Sequence, residues 1–311
     1  MKLLVTGASG FIGLNTLLRA RDAEKVFAVY HDTPVVDAFV AQHGLSNVES
    51  IRCDLTDAAQ VDALVARTGP VDAVLYLAAN GDPARSAARP AWDLQLNTLA
   101  PVTLLERLQA GHVVYVSSGA VYDGLRGPVT PATTVAPRLP YAISKLASEY
   151  YLRQFAEKRG TVGSYVNVRF FGAYGPYEAP RKITTKWLRA VMAGQRAFTI
   201  RGNGENLIDF MYVDDAVDGF LALTRSAGFS GTVDFGGGAP VSVNAVAETM
   251  ARVLGVDITL THEGHVEEYI EFRTVDTTMR DRFGVVPAVA FDEGIRRLHR
   301  FFLEETSTGR A

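Results

Sequence analysis

The chain has 311 residues, 48% of them hydrophobic, which predicts a globular protein with a large core and excludes an extended disordered chain. Its 31 basic and 34 acidic residues give a formal net charge of −3 without a long like-charge block, which disfavours nucleic acid or an anionic membrane as a partner. Cys53 is the only cysteine, which excludes an intrachain disulfide and fits a reducing compartment, so we expect a cytoplasmic protein.

Short apolar runs alternate with helical patterns over the first half of the chain, as a parallel sheet with crossover helices requires. The predicted strands are Lys2–Thr6, Val26–Tyr30, Val48–Cys53, Val71–Leu77, His112–Ser117 and Ser164–Arg169. The predicted helices are Phe11–Arg21, Val35–His43, Asp57–Arg67, Trp92–Gln109, Tyr141–Lys158 and Ile183–Ala193. After Phe170 the sequence becomes richer in Gly, Pro and basic residues, which indicates a smaller substrate-side domain.

A glycine-rich run, TGASGFIG, follows the first predicted strand. Gly7, Gly10 and Gly13 stand at the spacing that a tight turn, a close backbone approach and a close helix–strand contact require. Phe11 and Ile12 then begin a helix whose first amide groups, together with the helix dipole, attract a pyrophosphate. Such a run also suits a turn without a ligand, but its place between a strand and a helix of a βαβ unit favours phosphate binding.

In a sheet of this kind a ligand lies beyond the carboxyl ends of the strands. Asp54 follows the third strand and can accept the amino group of an adenine, or it can cap a helix, although Asp57 or Thr56 suits the cap better. The small residues of LAANGDPARS follow the fourth strand and permit a cofactor to approach closely, unless they form an ordinary loop.

Tyr141 and Lys145 are four residues apart on a predicted helix and therefore share a face. A cation at ~4–6 Å lowers a tyrosine pKa of about 10 by roughly 1–3 units, and a positive nicotinamide would lower it further. Tyr141 can then take a proton from a substrate hydroxyl while Ser118 holds the same oxygen. An amphipathic helix surface is the alternative for the pair alone.

The chain resembles an extended short-chain dehydrogenase/reductase of the nucleotide-sugar epimerase/dehydratase family from Met1 to about Phe302. Thr6–Gly13 matches the family's cofactor loop, Tyr141–Lys145 (YAISK) its catalytic pair and Ser118 its catalytic hydroxyl. The resemblance implies that Asp54 contacts adenine and that Asn97 braces the active site.

The same resemblance implies an α/β fold with a Rossmann-type doubly wound parallel sheet, a smaller C-terminal α/β substrate domain, a tightly bound nicotinamide cofactor and a homodimer. The predicted dinucleotide-binding domain is 1–171 plus about 205–237, and the substrate-binding domain is about 172–204 plus 238–311. No metal is expected. The candidate cofactor-binding residues are Gly7, Gly10, Phe11, Ile12, Gly13, His31, Asp32, Asp54, Leu55, Leu77, Ala78, Ala79, Asn97, Tyr141 and Lys145. The candidate substrate-binding residues are Asn80, Ser118, Gly172, Arg181, Lys186 and Arg201.

Four departures from the family limit the interpretation. The second strand ends in Tyr30-His31-Asp32 rather than in a clear acidic ribose ligand, and no arginine offers itself for a 2′-phosphate, so NAD and NADP both stay open. Gly119 and Ala120 follow Ser118 where the dehydratases have an Asp-Glu pair, which disfavours dehydration.

The other two departures concern the substrate. Gly172 and Ile208 stand where many relatives have an asparagine and an arginine that hold the diphosphate. Basic residues of the second half can replace them or can lie on a solvated surface: Arg181, Lys182, Lys186, Arg189, Arg201 and Arg273.

The leading hypothesis is an NAD(P)-dependent nucleotide-sugar epimerase with Tyr141 as acid/base. The alternatives are an NADPH-dependent keto-sugar reductase with the same groups, and a dinucleotide sensor without catalysis, which would not need the Ser118, Tyr141 and Lys145 set. We interpret His262 and His265 as surface residues rather than a metal pair.

Overall fold

The computed structural model describes residues 1–265 and 271–307. Its strands are β1 (Lys2–Thr6), β2 (Lys25–Tyr30), β3 (Val48–Arg52), β4 (Val71–Tyr76), β5 (Ala110–Ser118), β6 (Arg126–Val129), β7 (Val162–Phe170), β8 (Ala173–Tyr174), β9 (Ala197–Arg201), β10 (Leu207–Ile208), β11 (Met211–Tyr212), β12 (Gly231–Phe235), β13 (Val241–Ser242), β14 (Thr259–Glu263) and β15 (Glu271–Thr274). Its helices are α1 (Phe11–Arg19), α2 (Val35–Gln42), α3 (Ala58–Thr68), α4 (Pro83–Ala88), α5 (Pro90–Leu94), α6 (Ala100–Leu105), α7 (Pro140–Gln154), α8 (Ile183–Met192), α9 (Val213–Thr224), α10 (Val243–Leu254), α11 (Thr278–Phe283) and α12 (Phe291–Ser307).

A seven-stranded sheet in the order β12-β7-β5-β4-β1-β2-β3 lies at the centre of the molecule, and every neighbouring pair in it is parallel. The chain reverses its direction of growth between β1 and β4, which is the switch point where sheets of this class bind ligands. Thr6 is level with Val29 of β2 and with Tyr76 of β4, so the loops after these strands open at one edge. The predicted Rossmann-type α/β fold is confirmed.

Both faces of the sheet are buried, as a parallel sheet requires. Successive residues of β1 point to opposite sides: Leu4 packs into the cluster that contains α3 and α6 residues, and Leu3 into the cluster that contains α1 and α9 residues. This double burial explains why the strands read as continuous apolar runs in the sequence.

The six predicted strands are all present, and their ends differ from the prediction by at most two residues. The predicted helix Trp92–Gln109 differs more, because it begins at Pro90, passes through a π-helical turn at Gln95–Leu99 and ends at Leu105. Pro101 has no N–H to donate to the Asn97 carbonyl, which instead accepts a hydrogen bond from Ser148 Oγ at 2.6 Å. A second π-helical turn, Phe155–Arg159, extends α7.

Short strand pairs lie outside the central sheet. β8 pairs with β11, β9 with β14 and β6 with β15 in parallel, whereas β10 pairs with β13 antiparallel. β12, from the 205–237 segment, is the edge strand of the central sheet. The division into two domains stays a prediction, and positions 266–270 and 308–311 of its second part lie outside the described residues.

Within the described residues, the structure has no helix that is both long and apolar enough to cross a bilayer.

Candidate active site

The loop between β1 and α1 needs glycine for steric reasons. Gly7 has a φ of +68°, and a Cβ atom there would lie 2.8 Å from the Ala78 backbone nitrogen. At Gly13 a Cβ atom would lie 2.7 Å from Ala8 Cα and closer still to the Gly7 carbonyl oxygen. Gly10 is the N-cap residue of α1 and has no side chain to cap the helix. The first amide groups of α1 therefore have no side-chain acceptor and can bind an anion.

A cavity of about 500 Å³ opens beyond the carboxyl ends of β1 to β4. Its lining includes several predicted cofactor contacts and a ring of neighbouring residues: Gly7, Ser9, His31, Asp32, Asp54, Leu55, Ala78, Ala79, Asn80, Arg85, Trp92 and Arg181. Of the glycine run, Gly10, Phe11, Ile12 and Gly13 form the start of α1 and are not among the lining residues of this cavity. Their roles as cofactor ligands stay predictions.

The end of the cavity beside β2 carries charges of both signs. His31 lies between two carboxylates, with Nδ1 3.3 Å from Asp32 and Nε2 3.4 Å from Asp54. Arg52 donates from Nε to the His31 carbonyl, and its Nη2 lies 3.6 Å from Asp32. No arginine was predicted here from the sequence as a ligand for a 2′-phosphate. In the structure, the parallel register of β3 with β2 places Arg52 opposite Tyr30.

The structure shows which aspartate caps α3, and this bears on the role of Asp54. Asp57 is the N-cap of α3, because its Oδ1 accepts the Ala59 and Gln60 amides. Asp54 is therefore not the cap of this helix; its Oδ1 accepts from the amide and hydroxyl of Thr56, and it lines the first cavity. Its contact with adenine stays a prediction.

A second cavity, of about 540 Å³, adjoins the first, since Ala79 and Gly81 line both. Ser118, Tyr141 and Lys145 all line it, together with Leu77 and Gly172. Its wall also contains Gly119, Ala120, Phe171, Lys182, Leu207, Ile208, Asp209 and Phe272. The glycine loop and the predicted catalytic residues therefore line two adjoining cavities.

The predicted catalytic residues come from β5 and α7. Ser118 ends β5, where its Oγ accepts the Ala120 amide at 3.1 Å. Tyr141 lies in the first turn of α7, and its side chain hydrogen-bonds Ser118. Lys145 is one turn further on, only 3% exposed, and its Nζ donates to the Val116 carbonyl at 2.8 Å.

Burial dominates the protonation of this pair. It lowers the pKa of Lys145 to about 8, against the opposing effect of Asp93 and Glu149. Burial also raises the pKa of Tyr141 above its usual value, and the negative charge of Asp93 adds to this effect. The hydrogen bond with Ser118 acts in the opposite direction but does not cancel it. From the sequence, we expected Lys145 and a bound nicotinamide to lower the pKa of Tyr141. The protein's own groups do not lower this pKa, because desolvation of the phenol is the largest of the effects on it and raises the value.

A buried polar cluster that the sequence did not predict lies next to the catalytic pair. Asp93 is fully buried and accepts hydrogen bonds from Asn80, Ser86, Asn97 and Ser144. Asn97, predicted to brace the site, lies in this cluster. Asn80 uses its amide group for Asp93 and Ser86, so it has little donor capacity left for the substrate contact predicted for it.

The predicted substrate-binding residues are spread over the molecule. Gly172 lines the second cavity, whereas Arg181 lines the first and lies 3.9 Å from Asp82. Lys186 and Arg201 are exposed, and neither belongs to the lining of these two cavities. Of the basic residues offered as replacements for the missing diphosphate contacts, Lys182 lines the second cavity.

Within residues 1–265 and 271–307, no cluster of three or more His, Cys, Asp or Glu side chains is arranged to hold a metal ion. His262 is exposed on β14, and its Nε2 lies 2.9 Å from Asn244 Oδ1.

Known proteins match this chain along most of its length. The sequence model of the NAD dependent epimerase/dehydratase family matches residues 3–233. The chain belongs to this family. It is therefore an enzyme, and its cofactor is NAD or NADP, as the resemblance implied.

Two curated relatives and one solved structure illustrate the range of the family. The UDP-glucose 4-epimerase of Mycolicibacterium smegmatis is 30% identical over 319 residues, covering 97% of this chain and 98% of that protein. The dTDP-glucose 4,6-dehydratase of Streptomyces antibioticus is 30% identical over 322 residues, covering 96% and 91%. MoeE5 in complex with UDP-glucose and NAD has a TM-score of 0.85 and 26% identity, covering 98% of this chain and 100% of that one.

The residues of the first cavity fit a dinucleotide. The left-handed Gly7 turn, the uncapped start of α1 next to the cavity and the small residues Ala78 and Ala79 would hold the pyrophosphate, because each lets the ligand approach the backbone closely.

Proposed function

We propose that this enzyme is an NAD(P)-dependent epimerase of a nucleotide sugar. A bound nicotinamide would supply a hydride acceptor for a ring carbon and would return the hydride to the other face of the keto sugar, which the cavity would have to let turn. The observation that carries the proposal is the pair of adjoining cavities: Ser118, Tyr141 and Lys145 line the second one, which shares Ala79 and Gly81 with the glycine-loop cavity.

Each catalytic residue has a role that its position supports. Tyr141 takes the proton of the reacting hydroxyl and later returns it, and Ser118, hydrogen-bonded to Tyr141, holds the same oxygen. Lys145, charged while its proton is retained, favours the phenolate form of Tyr141 once substrate and cofactor have excluded water. When bound, the nicotinamide supplies a reversible hydride acceptor.

Dehydration, the reaction named for several relatives, is less well supported. Gly119 and Ala120 follow Ser118 and line the second cavity, so no acidic side chain stands at these two positions to assist the loss of water. This favours the epimerase over a dehydratase.

A keto-sugar reductase that uses NADPH is the second candidate, and one observation favours it. Arg52 lies beside His31 and Asp32 at the β2 end of the first cavity, where a cation can meet a 2′-phosphate. The two candidates differ in cofactor turnover, because an epimerase regenerates its cofactor and a reductase consumes it.

The test uses the purified protein with a panel of UDP and dTDP sugars. An epimerase interconverts one pair without added cofactor, and mass spectrometry of the extract identifies NAD or NADP. Tyr141→Phe is expected to lose turnover by at least about 100-fold while it retains the cofactor. Tyr150→Phe, an exposed tyrosine on the same helix, is the matched control. Consumption of NADPH with a keto sugar would support the reductase instead, and retained activity of Tyr141→Phe would remove the tyrosine from this role.

We also propose a homodimer through α5, the π-helical turn and α7. Exposed apolar side chains cluster on these helices: Leu94, Leu99, Ile143, Tyr150 and Tyr151. Phe155, in the π-helical turn that follows α7, is buried and takes no part in this surface. Ile143→Glu is expected to shift the sedimentation coefficient to that of a monomer, whereas Leu303→Glu, at an exposed position on α12, leaves it unchanged.

A further inference from the structure

The Asp93 cluster connects three parts of the chain that surround the catalytic residues. Asp93 Oδ1 accepts from Asn80 Nδ2 and Asn97 Nδ2, each at 2.9 Å, and from Ser86 Oγ. Its Oδ2 accepts from Ser144 Oγ at 2.7 Å. Asn80 and Ser86 belong to the segment after β4 that lines the first cavity, and Ser144 lies on α7 between Tyr141 and Lys145.

Ser144 transmits the position of this cluster to α7. Its Oγ lies 2.7 Å from the Asp93 carboxylate and 2.9 Å from the Tyr141 carbonyl, and its own carbonyl accepts from Thr98 Oγ1 at 2.9 Å. The first turn of α7, which carries Tyr141, is thereby fixed against the π-helical turn. A displacement of Ser144 would move both neighbouring catalytic side chains.

The charge of Asp93 is not neutralised by its hydrogen-bond donors, since all four are uncharged side chains. A buried charge acts strongly on other charges nearby because the surrounding dielectric is low. Lys145 is such a charge: it directly follows Ser144, which contacts Asp93, and it is 3% exposed, whereas Asp93 is fully buried.

The other charged and titratable groups around Lys145 are less suited to balance it. Glu149, on α7, forms a buried ion pair with Arg169 of β7 at 2.9 Å and also accepts from Ser117. Tyr115 of β5 faces the ammonium with its ring, 5.0 Å from Nζ, and Tyr141 is a neutral phenol until it reacts. Asp93 is thus the carboxylate that acts on Lys145 without an arginine of its own.

We propose that Asp93 is a positioning residue of the active site, which holds the first turn of α7 against the loop after β4 and is the buried counter-charge of the Lys145 ammonium group. The proposal rests on the roles given above to Tyr141 and Lys145. Asp93 touches neither substrate nor cofactor in this scheme.

Asp93→Asn removes the charge and nearly preserves the shape. The remaining Oδ1 can accept from Asn80, Ser86 and Asn97 as before, and the new amide can donate to Ser144, which turns its proton to the Tyr141 carbonyl. Ser144→Ala is the converse variant, because it loosens the contact with α7 and retains the charge. Asp62→Asn, an exposed carboxylate on α3, is the matched control.

The primary measurement is the titration of Lys145, followed by NMR of protein labelled with 13C at lysine Cε and assigned with Lys145→Arg. Asp93 acts to raise the pKa of Lys145, so its removal is expected to move this titration to lower pH. Ser144→Ala and Asp62→Asn leave the titration in place. An unmoved titration in Asp93→Asn would overturn the proposal.

Activity provides the second measurement. In Asp93→Asn the alkaline limb of the kcat profile is expected at lower pH, with kcat at pH 9 about threefold or more below the wild type and a smaller change at pH 6.5. If Asp93→Asn does not fold, the wild-type titration decides alone, since a Lys145 that is already neutral at pH 7 contradicts the counter-charge role. If the Lys145 titration shifts in Asp93→Asn but the wild-type protein converts no sugar nucleotide, the proposed function is refuted and the effect of Asp93 on Lys145 still stands.

Discussion

The buried ion pair beneath the active site gives a quantitative prediction for Arg169→Met. Arg169 Nη2 lies 2.9 Å from Glu149 Oε2, Nε contacts both carboxylate oxygens at 3.2 Å, and Nη1 donates to the Tyr122 hydroxyl at 3.0 Å. The two side chains are 6% and 5% exposed. The substitution therefore leaves the Glu149 carboxylate buried without its cation.

Removal of one partner from a buried pair costs about 3–5 kcal/mol of the free energy of unfolding, because the remaining charge is desolvated and unpaired. For a chain of this size 1 kcal/mol corresponds to roughly 2 °C, so Arg169→Met is expected to lower the thermal midpoint by about 6–10 °C. The control is Arg67→Met, which removes a pair of similar length with Glu49 at 2.7 Å. Arg67 is 56% exposed, and its loss is expected to cost less than about 1 kcal/mol.

Differential scanning calorimetry of these variants and of Arg169→Met/Glu149→Gln tests the reasoning. The double variant has no unpaired charge and is expected to recover at least half of the loss. If Arg169→Met is no less stable than Arg67→Met, or if the double variant is less stable than Arg169→Met alone, the unpaired carboxylate is not the cause.

Three further predictions follow from single contacts. Gly13→Ala is expected to weaken NAD(P) binding, measured by calorimetric titration, because its Cβ would press on the Gly7 carbonyl and move the start of α1. Gly44→Ala controls for general destabilisation and should keep wild-type affinity, because its Cβ would meet no atom within 4 Å although the φ of +59° strains the backbone. Burial lowers the pKa of His112 below its usual value of about 6.5, so the unfolded chain binds a proton here more readily than the folded protein does, and the protein loses stability as the pH falls below that value. The difference in the free energy of unfolding between the wild type and His112→Asn, measured in urea, should therefore shrink on acidification. A difference that does not depend on pH would contradict this. Asp57→Ala removes the N-cap of α3 and should cost about 1 kcal/mol in the same assay, whereas an unchanged midpoint would show that the cap is not needed.

The elements of the central sheet could be predicted from the sequence because each is coded locally. A strand buried on both faces appears as an uninterrupted apolar run. Gly10 and Gly13 are required by contacts within the same loop, whereas Gly7 is also confined by the distant Ala78 backbone. The family motifs then indicated the fold, and the structure confirms it. Ser118, Tyr141 and Lys145 line one cavity because β5 and α7 are neighbours in the fold.

The polar groups beneath the site could not be predicted in this way, since their partners are distant in the sequence. Asp93 meets Ser144 across 51 positions, and Glu149 meets Arg169 across 20. In the sequence, charged residues of this kind read as solvated surface, although here they are buried. Pro101 did carry a local signal for the π-helical turn, because a helix cannot continue its ladder through a residue without an N–H.

The residues that line the second cavity are anchored to the rest of the fold to different extents. This difference indicates which of them can determine the substrate that the enzyme accepts. Lys145 and Ser118 stand on α7 and β5, which buried polar contacts tie to the central sheet and to α5. Other lining residues come from short strand pairs: Ile208 lies in β10, which pairs with β13 over two residues, and Phe272 in β15, which pairs with β6 over four. Such short pairs contribute few ladder hydrogen bonds, so their side chains can be exchanged with little effect on the sheet. Substitutions at Ile208 and Phe272 are therefore expected to change which sugar nucleotide is accepted and to leave the acid–base chemistry in place.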